Sequence, residues 1–170
     1  ATSASLTLQD GQIKARRDAF TVSNIKAAIV LTHVDIQTGN GVILRAVAAQ
    51  WGEMGRNGGN AVLTTHNQTL TGDFVTDVIS SVAVSLQDGS KFTGKTTSNV
   101  DVTLDASSTW TLSDDTRVGK LTDAGLTGDS VPHIIGNGHT LSYDARHNPA
   151  LGGKTYQLAG GGTLAPGNGL

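Results

Sequence analysis

Leu8-Gln9-Asp10-Gly11-Gln12-Ile13 and Leu86-Gln87-Asp88-Gly89-Ser90-Lys91-Phe92 share the string Leu-Gln-Asp-Gly, and Leu104-Asp105-Ala106-Ser107-Ser108-Thr109-Trp110 is a looser third copy. Each copy does the same three things: a strand ends, the chain turns through a polar corner, and a large apolar residue opens the next segment. The strands entering these corners alternate apolar and polar residues, as in Ala4-Ser5-Leu6-Thr7-Leu8, Val82-Ala83-Val84-Ser85-Leu86 and Val100-Asp101-Val102-Thr103-Leu104. Period-2 alternation marks a strand with one buried face. Ala28-Ile29-Val30-Leu31 and Ala61-Val62-Leu63-Thr64 are shorter apolar runs of strand length.

The first apolar residue after each corner is a convenient marker. Ile13, Ile36, Leu70, Phe92 and Trp110 are separated by 23, 34, 22 and 18 residues, so three of the four gaps fit one period near 20. The long gap carries about a dozen extra residues, which fall on Ala48 to Asn60, a segment without alternation that reads as a loop inserted at one corner. Beyond Trp110, Arg117-Val118-Gly119-Lys120-Leu121, Thr140-Leu141-Ser142-Tyr143 and Gly162-Thr163-Leu164 continue as short strands, with Leu141 and Leu164 again 23 apart. A period of this length, with short strands and no helix of useful length, is the signature of a solenoid whose turns stack on one another. The sequence predicts an all-β right-handed parallel β-helix of about seven turns, roughly 35 Å long at about 4.8 Å per turn. Glycine, Asn and Asp at the corners supply the positive φ that stacked turns require. The competing architecture, an antiparallel β-sandwich, does not require a long common period between corner strings.

Length and charge narrow the function classes. At 170 residues the chain fits a single domain over 1–170, or part of a longer surface protein. With 12 Lys and Arg against 14 Asp and Glu it has no basic field for a phosphate backbone, so nucleic acid is not an expected partner. No apolar run approaches the length of a bilayer span. The absence of Cys removes disulfides, thiol nucleophiles and zinc-thiolate sites. Ala1-Thr2-Ser3-Ala4-Ser5 has the small-residue character found just past a signal-peptidase site, which together with composition points to export.

The stretch Val100 to Leu121, in which a Leu104-to-Trp110 strand and polar turn are followed by Val118 and Leu121, resembles coils of bacterial autotransporter passenger domains and related surface β-helix proteins. Leu158-Ala-Gly-Gly-Gly-Thr-Leu-Ala-Pro166 is similar to the Gly-rich closing segments of the same exported class. The resemblance implies a β-helix and an extracellular or cell-surface location. It says almost nothing of activity, because β-helices host adhesins, lyases, hydrolases and inert stalks alike.

Candidate sites follow from residue chemistry. The inserted loop holds Trp51, Glu53, Arg56 and Asn57 among glycines, an aromatic plate with charge and amide groups that could stack on and bond a sugar ring. The bland alternative is that Trp51 folds back over an apolar face. Trp110 matches Phe92 and Ile13 in position and reads as packing. His33 and His66 fall on corners of adjacent turns, but no third ligand accompanies them, and no metal site or cofactor is expected. Asp10, Asp88 and Asp105 read as turn-stabilising, accepting from backbone N–H groups two residues on. Asp73 with Asp77, and Asp114 with Asp115, offer oxygen ligands for Ca²⁺ without the Gly-rich nonapeptide of calcium-loaded rolls. Asp35 with Asp73, or Asp88 with Asp105, are the carboxylate pairs that adjacent coils bring within reach for polysaccharide cleavage. No nucleophile elbow, phosphate loop or dinucleotide fingerprint is present, and the sequence favours a non-enzyme. The expected role is a structural or adhesive module, with a carbohydrate-binding or polysaccharide-cleaving β-helix using the 48–60 loop as the alternative. Expected partners are a cell-surface glycan or another β-helix, including end-to-end self-association where an unpaired coil leaves its ladder open.

Overall fold

The computed structural model describes residues 2–167; Ala1, which opens the small-residue segment, lies outside them. The chain winds as a parallel β-solenoid. Its first coil carries β1 (Ser3–Gln9), β2 (Gln12–Ala15) and β3 (Phe20–Val22), and the second β4 (Lys26–Thr32), β5 (Asp35–Thr38) and β6 (Val42–Ala46). The third follows with β7 (Asn60–His66), β8 (Thr69–Thr71) and β9 (Asp73–Thr76), and the fourth with β10 (Ser81–Gln87) and β11 (Lys91–Gly94). β12 (Val100–Leu104), β13 (Thr109–Leu112) and β14 (Thr116–Val118) make the fifth; β15 (Leu121–Asp123), β16 (Ile134–Ile135) and β17 (Thr140–Tyr143) make the sixth. A single 3-10 turn, Pro149–Leu151, leads into the seventh, which holds β18 (Tyr156–Gln157) and β19 (Thr163–Pro166).

Strands in equivalent places stack into parallel ladders along three faces. The first face is a six-stranded sheet ordered β1-β4-β7-β10-β12-β15. Its register aligns like with like: Leu6, Ile29, Leu63, Val84, Val102 and Leu121 form one inward column. The corner markers are ladder partners as their spacing predicts, Ile13 with Ile36, Leu70 with Phe92, and Phe92 with Trp110. Leu141 pairs with Leu164 in the same way. Phe74 meets Phe92 edge to face at 5.1 Å, and Phe92 stacks on Trp110 at 5.5 Å. Trp110 is fully buried and its indole N–H donates to the Gly94 carbonyl at 3.1 Å, so it packs the core as expected.

One segment departs from the expected strands. Arg117 to Leu121 is two strands, not one, because Gly119 and Lys120 form a corner between β14 and β15. The amide of Lys120 is held there by the carboxylate of Asp101 at 2.7 Å. The inserted loop occupies 47–59, one residue earlier than expected at each end. Asn60 belongs to β7 because its N–H donates to the Ile25 carbonyl and it pairs with Lys26.

The corner between the first and second faces explains the repeated Asp. Asp10, His33, Asn67 and Asp88 occupy the same position in four successive coils, each with φ between 46° and 55°. Asp and Asn tolerate this left-handed region better than most residues. Two of the three Asp do not bind an N–H two residues on as predicted; Asp10 and Asp88 instead pair with His33 and His66, at 3.1 and 2.6 Å. Only Asp105 behaves as expected, accepting from Ser107 N–H at 3.0 Å. Burial alone would raise its pKa, but the N–H groups of Asp88 and Ser107 and two serine hydroxyls outweigh that and hold it at about 2. Just inside this corner runs a buried polar file. Gln68 N–H donates to Ser90 Oγ, and Ser90 N–H to Ser108 Oγ, so each coil's turn is tied to the next.

The third face has a gap at the fourth coil, which places no strand between β9 and β14. On the second face the stacking is interrupted between the second and third coils, while the first and third faces stay paired across that step. There β2 and β5 form a separate two-stranded sheet, while β8 begins another with β11, β13 and β16. The cause is coil size. Between the registered pairs Thr32 with His66 and Val42 with Asp73, the second coil spends ten residue steps and the third only seven. The surplus pushes β5 out of line with β8, and a side chain replaces the missing ladder. The Gln68 amide accepts from Val34 N–H at 2.8 Å and donates to Val34 O at 2.7 Å.

Candidate functional site

The inserted loop is built on backbone hydrogen bonds supplied from within. Asn57 is buried, and its side-chain amide donates to Ala49 O at 2.6 Å and Trp51 O at 3.2 Å, drawing the loop's two limbs together. At the loop's entry Ala48 N–H donates to Asp77 at 2.7 Å. Asp77 also takes the Ser80 hydroxyl, whose contribution leads in pulling its pKa below the ordinary carboxylate value. Gly59 closes the exit: a Cβ there would overlap the carbonyl oxygen of Val22. The tip points away from this base. Trp51 is 66% exposed and Met54 94%, while Glu53 and Arg56 form an exposed pair at 3.6 Å. Trp51 therefore does not fold back over the core. Of the four residues singled out in the loop, Trp51, Glu53 and Arg56 share the tip, and Asn57 sits at the base as a clamp.

The other candidates are largely committed to structure. Asp73 accepts from Lys95 N–H at 3.1 Å, and Asp77 is spent on Ala48 and Ile79, so the two do not form an open oxygen cage. Asp35 and Asp73 lie on different faces, on β5 and β9. Asp88 and Asp105 do meet at one corner, but through a bond from Asp88 N–H to the Asp105 carboxylate at 2.8 Å. His33 and His66 stand on neighbouring coils, one register step apart, and each pairs with its own Asp. Asp114, Asp115 and His139 bring three potential ligand atoms within 4.8 Å of one another, a grouping the sequence spacing did not reveal because it joins two coils. Two of its oxygens already accept backbone N–H groups, from Asp115 and Thr140.

Carboxylates whose proton affinity is shifted all move the same way. Burial raises Asp18, but Arg45, Asn40 and Thr21 more than compensate and lower it. Asp144 is lowered to about 2, chiefly by the Arg146 guanidinium. With Asp77 and Asp105, each of these is held ionised by groups of its own turn or its neighbour's. A glycosidic acid needs the opposite shift.

Compared with known proteins, the chain matches no family model, no curated protein and no solved structure. Its class rests on architecture: an all-β parallel β-solenoid with a corner loop inserted at 47–59.

Proposed function

We propose that this chain is a non-enzymatic structural or adhesive β-helix module of an exported bacterial protein, acting at the cell surface or outside the cell. The observation that carries the reading is where the corner carboxylates are spent: Asp77, Asp101 and Asp105 accept backbone N–H groups of Ala48, Lys120 and Asp88 and so fix turns between coils. Asp18, Asp77, Asp105 and Asp144 are all held ionised by bonds that fix corners and loops, which is the use a scaffold makes of acidic groups. The likeness of Val100–Leu121 and Leu158–Pro166 to autotransporter coils, and the lack of Cys, support export. The mechanism is geometric: laddered coils give a stiff rod, and its outer faces meet a partner. Along the first face the outward column Thr7, Val30, Thr64, Ser85, Thr103 and Thr122 presents small side chains in strict register. Incubation with polysaccharides tests the reading: adsorption without new reducing ends or unsaturated products is expected, and turnover would overturn it.

Self-association of the 170-residue chain belongs to the same proposal. A strict monomer in light scattering at high concentration would remove it.

A second reading, glycan binding through the inserted loop, is favoured by one observation: Trp51 stands 66% exposed on the same tip as the Glu53 and Arg56 pair. Loss of all glycan binding in Trp51→Ala is its expected signature, and unchanged binding would contradict it.

A further inference from the structure

The break between β5 and β8 opens a polar groove of about 780 Å³ on the second face. Its lining includes Asp10 and His33 from the corner, Asp35 from β5, and Asn67, Thr69 and Thr71 from the third coil. The groove is a consequence of the chain's own arithmetic, since the second coil is three residue steps longer than the third between shared registered pairs. Gln68 keeps it open by taking both backbone groups of Val34, which elsewhere on this corner would meet a neighbouring coil.

Two kinds of hydrogen-bonding group face this space. The first is backbone. Asp35 N–H is directed to Gly11 O in the first coil, so by ladder alternation the N–H and C=O of Ile36 turn toward β8, with which β5 does not pair. On the opposite wall Lys91 N–H takes Gln68 O, so Thr69 and Thr71 turn their backbone groups toward β5; the Thr69 carbonyl is met there by the Gln68 side-chain amide at 2.8 Å, which leaves the Thr69 N–H and the Thr71 groups facing the gap. The second kind is side chain. Asp10 is paired with His33 at 3.1 Å, whereas Asp35, Asn67, Thr69 and Thr71 have no side-chain partner among the described residues. Other corner carboxylates are occupied, by backbone N–H groups at Asp105, Asp101 and Asp73 and by His66 at Asp88. In this groove the Asp35 carboxylate, the Asn67 amide, the Thr69 and Thr71 hydroxyls and strand-edge groups of Ile36 and Thr71 converge on open space.

We propose that this groove binds a hydroxyl-rich glycan chain of neutral or amino sugars, with Asp35 and Asn67 engaging adjacent hydroxyls and Thr69 and Thr71 lining its run across the third coil. The proposal deepens the adhesive reading above and rests on it, naming a partner class and a site other than the loop. An extended ligand with donors and acceptors on its edges matches walls made of strand edges. Two carboxylates in the lining disfavour uronic-acid chains. Lys14 and Lys91 sit on the strands to either side and do not line the groove.

The test uses the whole chain on an array of neutral, amino-sugar and uronic-acid oligosaccharides, followed by titration with a chito-oligosaccharide and a gluco-oligosaccharide. Asp35→Ala and the double variant Thr69→Ala with Thr71→Ala change exposed side chains and leave the core intact, which circular dichroism checks. The expected result is binding to a neutral or amino-sugar chain, weakened at least about tenfold in both groove variants, as befits one lost hydrogen bond to a charged carboxylate or two lost bonds to neutral hydroxyls, and unchanged in Trp51→Ala. Binding that survives both groove variants and disappears in Trp51→Ala overturns the groove and leaves glycan adhesion standing. Preference for uronic-acid chains also overturns the groove. No binding of the wild-type chain to any glycan overturns the groove and the glycan-adhesion reading together.

Discussion

The first two coils and the three that follow obey the same repeat but pack differently. In the third to fifth coils the second-face markers Leu70, Phe92 and Trp110 stack directly, and all three are essentially inaccessible to solvent. In the first two, Ile13 and Ile36 pair just as faithfully and yet remain partly exposed, because the longer coils hold β2 and β5 out of line with the strands that follow. Register and burial are therefore separable in a solenoid. Register is set coil by coil through corner chemistry, whereas burial of a column requires neighbouring coils of equal circumference. Where circumference changes, one face loses its ladder and the others keep theirs.

The largest expected effect that sharpens this contrast is at the stacked column. Trp110→Ala removes a fully buried indole between close neighbours and is expected to cost about 3–5 kcal/mol in denaturant unfolding, against about 1–2 kcal/mol for Ile36→Ala in the wider coils. Equal losses would mean that the two regions pack alike. Next comes the side chain that bridges the step. Gln68→Ala strands the N–H and C=O of Val34 in a buried corner, an expected loss of about 2–3 kcal/mol in the same measurement.

A smaller effect concerns acid. Asp105 has a folded pKa of about 2, below its ordinary 3.8, so its contribution is present above that ordinary value and is lost as pH falls through about 2. Asp18, Asp77 and Asp144 are lowered too and add in the same direction. Melting temperatures should hold steady down to about pH 5 and then decline. In Asp105→Ala the neutral-pH value should drop and the acid limb should be shallower. Parallel wild-type and variant curves across that limb would show that this corner carboxylate does not carry the linkage. The smallest effect is expected at the loop tip: Trp51→Ala should leave stability within about 0.5 kcal/mol, since the ring is mostly in solvent.

Much of the architecture was legible from corner strings because an αL-tolerant residue followed by an apolar marker recurs at the corner between the first and second faces in four successive coils. That is why Asp10 and Asp88 predict the same corner and why Phe92 and Trp110 predict a ladder pair. The inserted loop was legible for the complementary reason, that a surplus of residues without alternation has no place in a ladder. The step between β5 and β8 was not. Its cause lies in the numbering of Thr32 to Val42 and His66 to Asp73, but recognising it requires knowing the register on both flanking faces, which the sequence alone does not give. Gly119 and Lys120 were hidden for a related reason: a corner held by the Asp101 carboxylate needs no glycine pair or proline to announce it. At the candidate loop, the aromatic tip was legible in composition, while the role of Asn57 as the clamp at its base depends on which carbonyls the fold brings to it.

Residue-resolved amide hydrogen exchange on the intact chain tests the step most directly. The account predicts slow exchange at Leu63, Phe92 and Trp110, which lie in continuous ladders, and fast exchange at Ile36, Thr69 and Thr71, whose N–H groups face the gap between β5 and β8. Protection at Ile36, Thr69 and Thr71 equal to that at Phe92 would mean that the second face is laddered throughout, contradicting both the step and the groove that follows from it.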